Sequence, residues 1–280
     1  APLSPQGSPA VSPMTFSPRA APAQRLDLSP LIPQNLAGKT VVEIAGIEVG
    51  TTRVRVTAGD AFHIRKGDPA TIIIEGGSAR FDRVGMGMNS GTIRVEGAVG
   101  VEAGRLMSGG QLTIRGDAGP FAGSGMQGGT LDIGGDAGER LGGPLSGETV
   151  GMSGGLLHVR GDAGPRAGDR LRRGAILIDG RAGAYAGSRM IAGTLAIGGE
   201  AGDLPGYLMG RGTILLGRGA TLFSPTFGDC GEHDLVAARL LADYVAQASV
   251  KLARLFRRPL RRLAGDLAAL GKGEILLPRP

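Results

Sequence analysis

The stretch GSGMQGGTLDIGGDAG, Gly123 to Gly138, decides how the chain is read. Its first six residues spell G-x-G-x-x-G, the fingerprint of a turn that cradles a dinucleotide. That fingerprint works only when a strand precedes it and a helix follows, because the pyrophosphate sits on the free N–H groups of the helix's first turn. Here Leu131 and Ile133 alternate with Thr130 and Asp132 before the chain runs into more glycines, which is a short strand. With no helix to follow it, the phosphate reading fails.

What replaces it is a repeat. Equivalents of Met126 fall at Met88, Met107, Met152, Leu171, Met190 and Met209, spaced by 19 residues except for one interval of 26 between Met126 and Met152. Three residues after each marker stands a glycine: Gly91, Gly110, Gly129, Gly155, Gly174, Gly193 and Gly212. The positions five and seven after the marker are aliphatic in all seven units, from Ile93 and Val95 to Ile214 and Leu216. Glycines recur nine and twelve after it until the seventh unit, where Arg218 and Thr221 replace them. A terminal unit that loses the pattern is expected where a stack ends.

A fixed period with two inward positions per strand and glycine at the corners predicts an all-β fold, a parallel β-solenoid of about seven 19-residue turns. The residue between the two inward ones should face outward: Arg94, Thr113, Asp132, His158, Leu177, Ala196 and Leu215. This column is polar in the early turns and apolar later, so another element or subunit should cover the later turns. The seven extra residues around GPLSGETV should form a loop protruding from one corner.

Four regions are expected. Residues 1–39 are a Pro-rich, extended arm held, if at all, by a neighbour, 40–84 a β-rich leader and first turn, 85–222 the repeat stack, and 223–280 a C-terminal helix and basic tail. In the leader, VVEIAGIEV, VRVTAG and TIIIEGG read as strands from their β-branched density. Asp229 with Glu232 reads as a capping box opening a helix that Pro259 ends or kinks.

Composition narrows the chemistry. Glycine makes up 52 of 280 residues, tryptophan is absent and the formal net charge is +6. Basic charge admits nucleic acid, anionic lipid or an acidic ligand. Nucleic-acid binding is set aside because neither stacking aromatics nor a reading helix appears. Cys230 is the lone cysteine, which excludes an intrachain disulfide and a multi-thiolate zinc site. No apolar run is long enough to span a membrane and no signal-peptide pattern opens the chain, so a cytoplasmic protein is expected.

Candidate sites are few. Asp117, Asp136 and Asp162 share a corner position, but other turns place Ala98, Arg181 and Glu200 there, so they read as acceptors for backbone N–H groups rather than calcium ligands. His158 reads as a surface histidine, and His233 near Cys230 lacks the third group of a nucleophile set. No catalytic, cofactor-binding or metal-binding residue is assigned. The cluster Arg254, Arg257, Arg258, Arg261 and Arg262 is the candidate partner contact, with a solvated basic face or a lipid-surface helix as the other readings.

The units from Leu171 to Gly202, LRRGAILIDGRAGAYAGSRMIAGTLAIGGEAG, resemble the G-x-G-x-G repeat of glutamate synthase and of the formylmethanofuran dehydrogenase C-subunit family. The flanks VGMGMNSGTIRVEGAVG, GDCGEHDLVAARLL and GDLAALGKGEILLPR are similar to the C-subunit of the bacterial formyltransferase/hydrolase complex. The resemblance implies a right-handed β-helix and a structural subunit without its own active site. Its partners would be a formyltransferase, an amidohydrolase-like hydrolase carrying the metal, and a dehydrogenase-like subunit. The complex would move a formyl group from tetrahydromethanopterin to a methanofuran-type cofactor and release formate. The C-subunit of the molybdenum or tungsten formylmethanofuran dehydrogenase is the alternative within the family, and a free-standing solenoid binding an acidic polymer the alternative outside it.

Overall fold

A computed structural model describes residues 12–279. The chain is mostly β, built on one sheet of 13 strands, with a few short helices. The N-terminal part contains β1 (Pro13–Pro18), β2 (Leu26–Asp27), α1 (Pro33–Leu36), α2 (Val41–Ala45), α3 (Ala58–Ala61), β3 (Phe62–Arg65), β4 (Asp68–Ile74) and β5 (Phe81–Asp82). The repeats supply β6 (Thr92–Val95), β7 (Gln111–Ile114), β8 (Thr130–Ile133), β9 (Leu156–Val159), β10 (Ala175–Ile178), β11 (Thr194–Ile197) and β12 (Arg211–Leu216). The C-terminal part adds β13 (Gly228–His233), α4 (Val236–Val245), α5 (Val250–Phe256), β14 (Leu260–Gly265) and β15 (Lys272–Pro278).

The repeat strands pair in parallel and in register, so that Ile93, Leu112, Leu131, Leu157, Ile176, Leu195 and Ile214 form one ladder. Both aliphatic ladders are fully buried in every turn. A second column of parallel bridges runs from Val99 through Ala118, Ala137, Ala163, Ala182 and Ala201 to Ala220. Two stacked columns joined by glycine corners are an arrangement compatible with the expected β-solenoid.

Gly129 explains the glycine that no turn lacks. Its φ is +79°, and a Cβ built there would lie 2.6 Å from Met107 Cε and 2.7 Å from Gly110 O of the turn below. Each marker side chain fills the space that the next turn's missing Cβ leaves, as Met126 Cε does over Gly155. The letters GSGMQG are therefore corner glycines around a stacking methionine.

The expected corner hydrogen bonds are present: Asp136 N donates to Asp117 Oδ1 at 2.8 Å, Asp162 N to Asp136 Oδ1 at 2.7 Å and Arg181 N to Asp162 Oδ1 at 2.6 Å. The insertion leaves the stack after Gly142 and returns at Met152, whose N–H donates to Gly142 O at 2.7 Å. Glu148 on this loop accepts from Arg105 Nη2 at 2.6 Å, which ties the loop to a turn two rungs below.

The ends depart from the sequence reading. VVEIA is helix α2, because Thr40 and Glu43 form a capping box that outweighs β-branched propensity. VRVTAG leads through a bend into α3, capped in the same way by Thr57 and Asp60. Only TIIIEGG contributes a strand, β4. The first eleven residues of the Pro-rich arm lie outside the described residues, and the rest packs into the protein. β1 pairs antiparallel with β3 and parallel with β4. Phe16 is buried with its ring 5.9 Å from that of Phe62, and Leu28, Leu31 and Leu36 join the same core. Apolar residues between the prolines supply this core.

At the other end, the expected helix from Asp229 is a strand. Asp229 and Glu232 belong to β13, which pairs with β14, and the helical residues form a hairpin of α4 and α5 between those strands. β15 continues the sheet in parallel beyond β12. Below it the Asp266 carboxylate accepts from Leu208 N at 2.8 Å, in the place where a further turn would have offered a carbonyl. The hairpin covers the outward apolar column: Leu177, Ala196 and Leu215 are buried against Ala242, Val245, Leu252 and Phe256. The covering of the later turns comes from the chain itself.

Candidate functional site

The five arginines of the candidate contact do not form one face. Arg254 is on α5, Arg257 caps it, Arg258 lies in the link, and Arg261 and Arg262 occupy adjacent positions of β14, whose side chains alternate between the two sides of the sheet. Arg257 pairs with Asp243, Arg261 Nη2 donates to Asp229 Oδ2 at 2.6 Å, and Arg262 Nε donates to Glu274 Oε2 at 2.8 Å. Hydrogen bonds from Arg261 and from Gly231 N lower the Asp229 pKa to about 2. Arg254 and Arg258 are exposed. The tail reads as one basic helix in sequence because its periodicity ignores the strand pairing that separates these residues.

His158 is a second correction. It faces outward as expected, yet only 3% of it is exposed, because α5 and its approach close over that side of β9. Nε2 lies 3.1 Å from Asp179 Oδ2, and Nδ1 lies 3.3 Å from Asp132 Oδ1. The second contact is off the line of a good hydrogen bond and leaves Asp132 Oδ1 without a donor. Arg160 Nη2 donates to the other Asp132 oxygen at 2.9 Å. Burial opposes a charge on the ring, but the flanking carboxylates prevail and raise the His158 pKa to about 9. Asp132 is held below the ordinary carboxylate range chiefly by His158. Burial raises the Asp179 pKa, and hydrogen bonds from His158 and Ser249 reverse that effect.

Ser249, Asp179 and His158 invite comparison with a catalytic triad, and the order of the bonds rejects it. Ser249 Oγ donates to Asp179 Oδ1 at 2.7 Å, not to the imidazole, and Ser249 also accepts from Leu252 N as the N-cap of α5. A nucleophile must give its proton to the base. Lys251 Nζ donates to Asp179 O at 2.7 Å. The network fastens the α4–α5 hairpin to the stack. The sign that could have revealed it is the outward column itself, since His158 stands directly before the apolar positions.

Cys230 and His233 are both exposed on β13, where His233 Nε2 lies 2.9 Å from Cys230 O rather than near its sulfur. Asp169 is fully buried and accepts from Ser188 Oγ at 2.9 Å and Arg189 Nε at 3.0 Å, a contact between adjacent turns. Among the described residues no group of His, Cys, Asp and Glu is placed to hold a metal ion, and no helix is long and apolar enough to cross a membrane.

Fold and polar networks together define a glycine-repeat parallel β stack, continued by β4 and β1 before its first repeat strand and by β15 along its last. No family model matches the sequence. The chain is 57% identical, over 255 residues, to the C-subunit of the formyltransferase/hydrolase complex Fhc of Methylorubrum extorquens (strain AM1). That alignment covers 91% of this chain and 96% of the relative. The X-ray crystal structure of the formyltransferase/hydrolase complex (FhcABCD) from Methylorubrum extorquens, in complex with methylofuran, contains a chain matched at a TM-score of 0.91 and 45% identity. The match covers 95% of this chain and all of the other. The chain belongs to the C-subunit family of the formyltransferase/hydrolase complex.

Proposed function

We propose that this chain is a structural subunit, without an active site of its own, of a cytoplasmic formyltransferase/hydrolase complex. The complex transfers a formyl group from tetrahydromethanopterin to a methanofuran-type cofactor and releases formate. A formyltransferase, an amidohydrolase-like hydrolase holding the metal, and a dehydrogenase-like subunit are its partners. The observation that carries this reading is the relative, which matches almost end to end and is one subunit of a four-part complex. His158, Asp179 and Ser249 are engaged in fastening the hairpin to the stack, and Asp169 in joining adjacent turns.

The stack winds right-handed in this proposal, as about 98% of crossovers between parallel strands do. In this proposal 85–222 is the body of the subunit, 40–84 leads into it together with the packed residues 12–39, and 223–280 closes its other end. Arg254 and Arg258, which have no carboxylate partner among the described residues, are the members of the arginine cluster offered to a neighbour.

Purification of the tagged chain at native expression, followed by intact mass measurement, tests the proposal. The expected product is an assembly in which hydrolase and transferase subunits accompany this chain in fixed ratio. A stable species containing this chain alone would overturn it.

A further inference from the structure

The last turn of the stack is covered on one side only. β15 lies along β12 from Arg211 to Leu215, but the second column ends at Ala220, paired to Ala201 below and, among the described residues, to nothing above. In each earlier turn the residue at that place sends its N–H to the following turn, as Ala201 N does to Gly219 O at 3.0 Å. Ala220 N finds no such acceptor among the described residues. An open strand edge of this kind is a template for another chain.

Beside this edge is a cleft of about 530 Å³ between the Gly217–Gly219 corner and the ends of β14 and β15. Leu216, Leu277 and Pro278 give it an apolar part, and Arg218, Arg258, Arg261 and Arg279 stand around it with a single carboxylate, Glu232. Arg279 Nη1 is 3.7 Å from Glu232, and Arg261 is held by Asp229. Arg218 and Arg258 meet no carboxylate among the described residues. Arg218 also stands at the corner position that is glycine in the six earlier turns, so the sequence departs from its repeat at this cleft.

We propose that the cleft receives an extended, carboxylate-rich segment of a neighbouring subunit, with Arg218 and Arg258 as its principal contacts. The inference rests on membership of the formyltransferase/hydrolase complex. Guanidinium groups bind carboxylates through paired hydrogen bonds, and once Asp229 and Glu232 are assigned to Arg261 and Arg279, the charges of Arg218 and Arg258 stay unmatched among the described residues. The free main-chain groups at Ala220 select an extended peptide over a small anion, because only a peptide can use the strand edge and the arginines together.

Hydrogen exchange on the purified complex and on the isolated full chain tests this, with the double variant Arg218→Gln, Arg258→Gln made in parallel. In the wild type, the amides of 217–220 and of Leu277 and Arg279 should exchange about tenfold more slowly in the complex than in the isolated chain. In the variant that protection should be lost and the subunit's affinity for the complex weakened by about tenfold or more, as for a contact at the centre of an interface. Both arginines are exposed, so the isolated variant should melt with the wild type. An assembled complex lacking protection at these amides overturns the proposal, as does a variant that binds and is protected like the wild type. Protection of the isolated chain that grows with its own concentration assigns the cleft to a second copy, and protection by free citrate without protection in the complex assigns it to a small anion. Either result overturns the partner reading. Failure of the wild type to form any complex would instead count against membership.

Discussion

His158 is a buried, charged rung where the outward column passes from Arg94, Thr113 and Asp132 to Leu177, Ala196 and Leu215. With a folded pKa of about 9 against 6.5 when unfolded, it adds stability that is complete below about pH 6.5 and is lost as pH rises through 9. The lowered pKa values of Asp132 and Asp179 act in the opposite sense: their contribution is complete above the ordinary aspartate range and is lost as pH falls below it. Stability from this network is therefore greatest between roughly pH 4 and 6.5. A shift of this size corresponds to roughly 3 kcal/mol. Denaturant unfolding at pH 6 and at pH 9.5 should show the wild type weakening at the higher pH. His158→Gln should lower stability at pH 6 and remove most of the difference between the two conditions. Equal wild-type stability at both values would mean that the ring is neutral in the fold.

At the scale of elements, the glycine column and the α4–α5 hairpin make different demands. Gly129→Val places a β-branched residue at φ +79° and sets its Cβ against Met107 and Gly110, so backbone strain and overpacking add. The expected loss is about 3–5 kcal/mol. Gly147 has φ +89° with nothing within 4 Å of a built Cβ, so Gly147→Ala incurs the backbone term alone. Chemical denaturation of the two variants separates conformation from contact, and similar losses would remove the steric argument. In the hairpin, Phe256→Ala should cost about 3–5 kcal/mol in local stability. Amides of α4 and α5 should then exchange faster while those of β6 to β8 stay unchanged, and a uniform rise along the chain would mean that hairpin and stack unfold together. The stack could be read from sequence because glycine at the third position and aliphatics at the fifth and seventh report local geometry that recurs in every turn. The ends could not be read so directly. Strand β13 has six exposed residues and no alternating pattern, and its pairing depends on β14, which lies more than twenty residues further on. The hidden setting of His158 likewise depends on a hairpin brought from about ninety residues away.

On the scale of the whole molecule, the chain is a column whose length is set by how many turns it has, and its caps carry the irregular surfaces. The strands of each turn pair only with those of the adjacent turns, while the Arg105–Glu148 contact and the hairpin reach further, so the stability of the strand stack is close to a sum of turn and interface terms and tolerates a change in number. Position in a complex does not. Repeating residues 92–110 once, between Gly110 and Gln111, adds one complete 19-residue turn. The second copy of Arg105 stays opposite Glu148, and the contacts of Arg83 with Glu102 at the other end are kept by the first copy. The lengthened chain should fold cooperatively in isolation with at least wild-type stability. It also separates the N-terminal cap from the C-terminal cleft by a further ~5 Å, the distance between adjacent strands. If the proposed structural subunit is a spacer, it meets its neighbours at both ends, and a displacement of this size breaks hydrogen bonds and ion pairs at one of them. Co-purification with the transferase and hydrolase subunits should therefore fall by an order of magnitude or more, since losing two or three such contacts costs several kcal/mol. Normal incorporation of the lengthened chain would place the partner contacts at one end, and the column would then act as an anchor rather than a spacer.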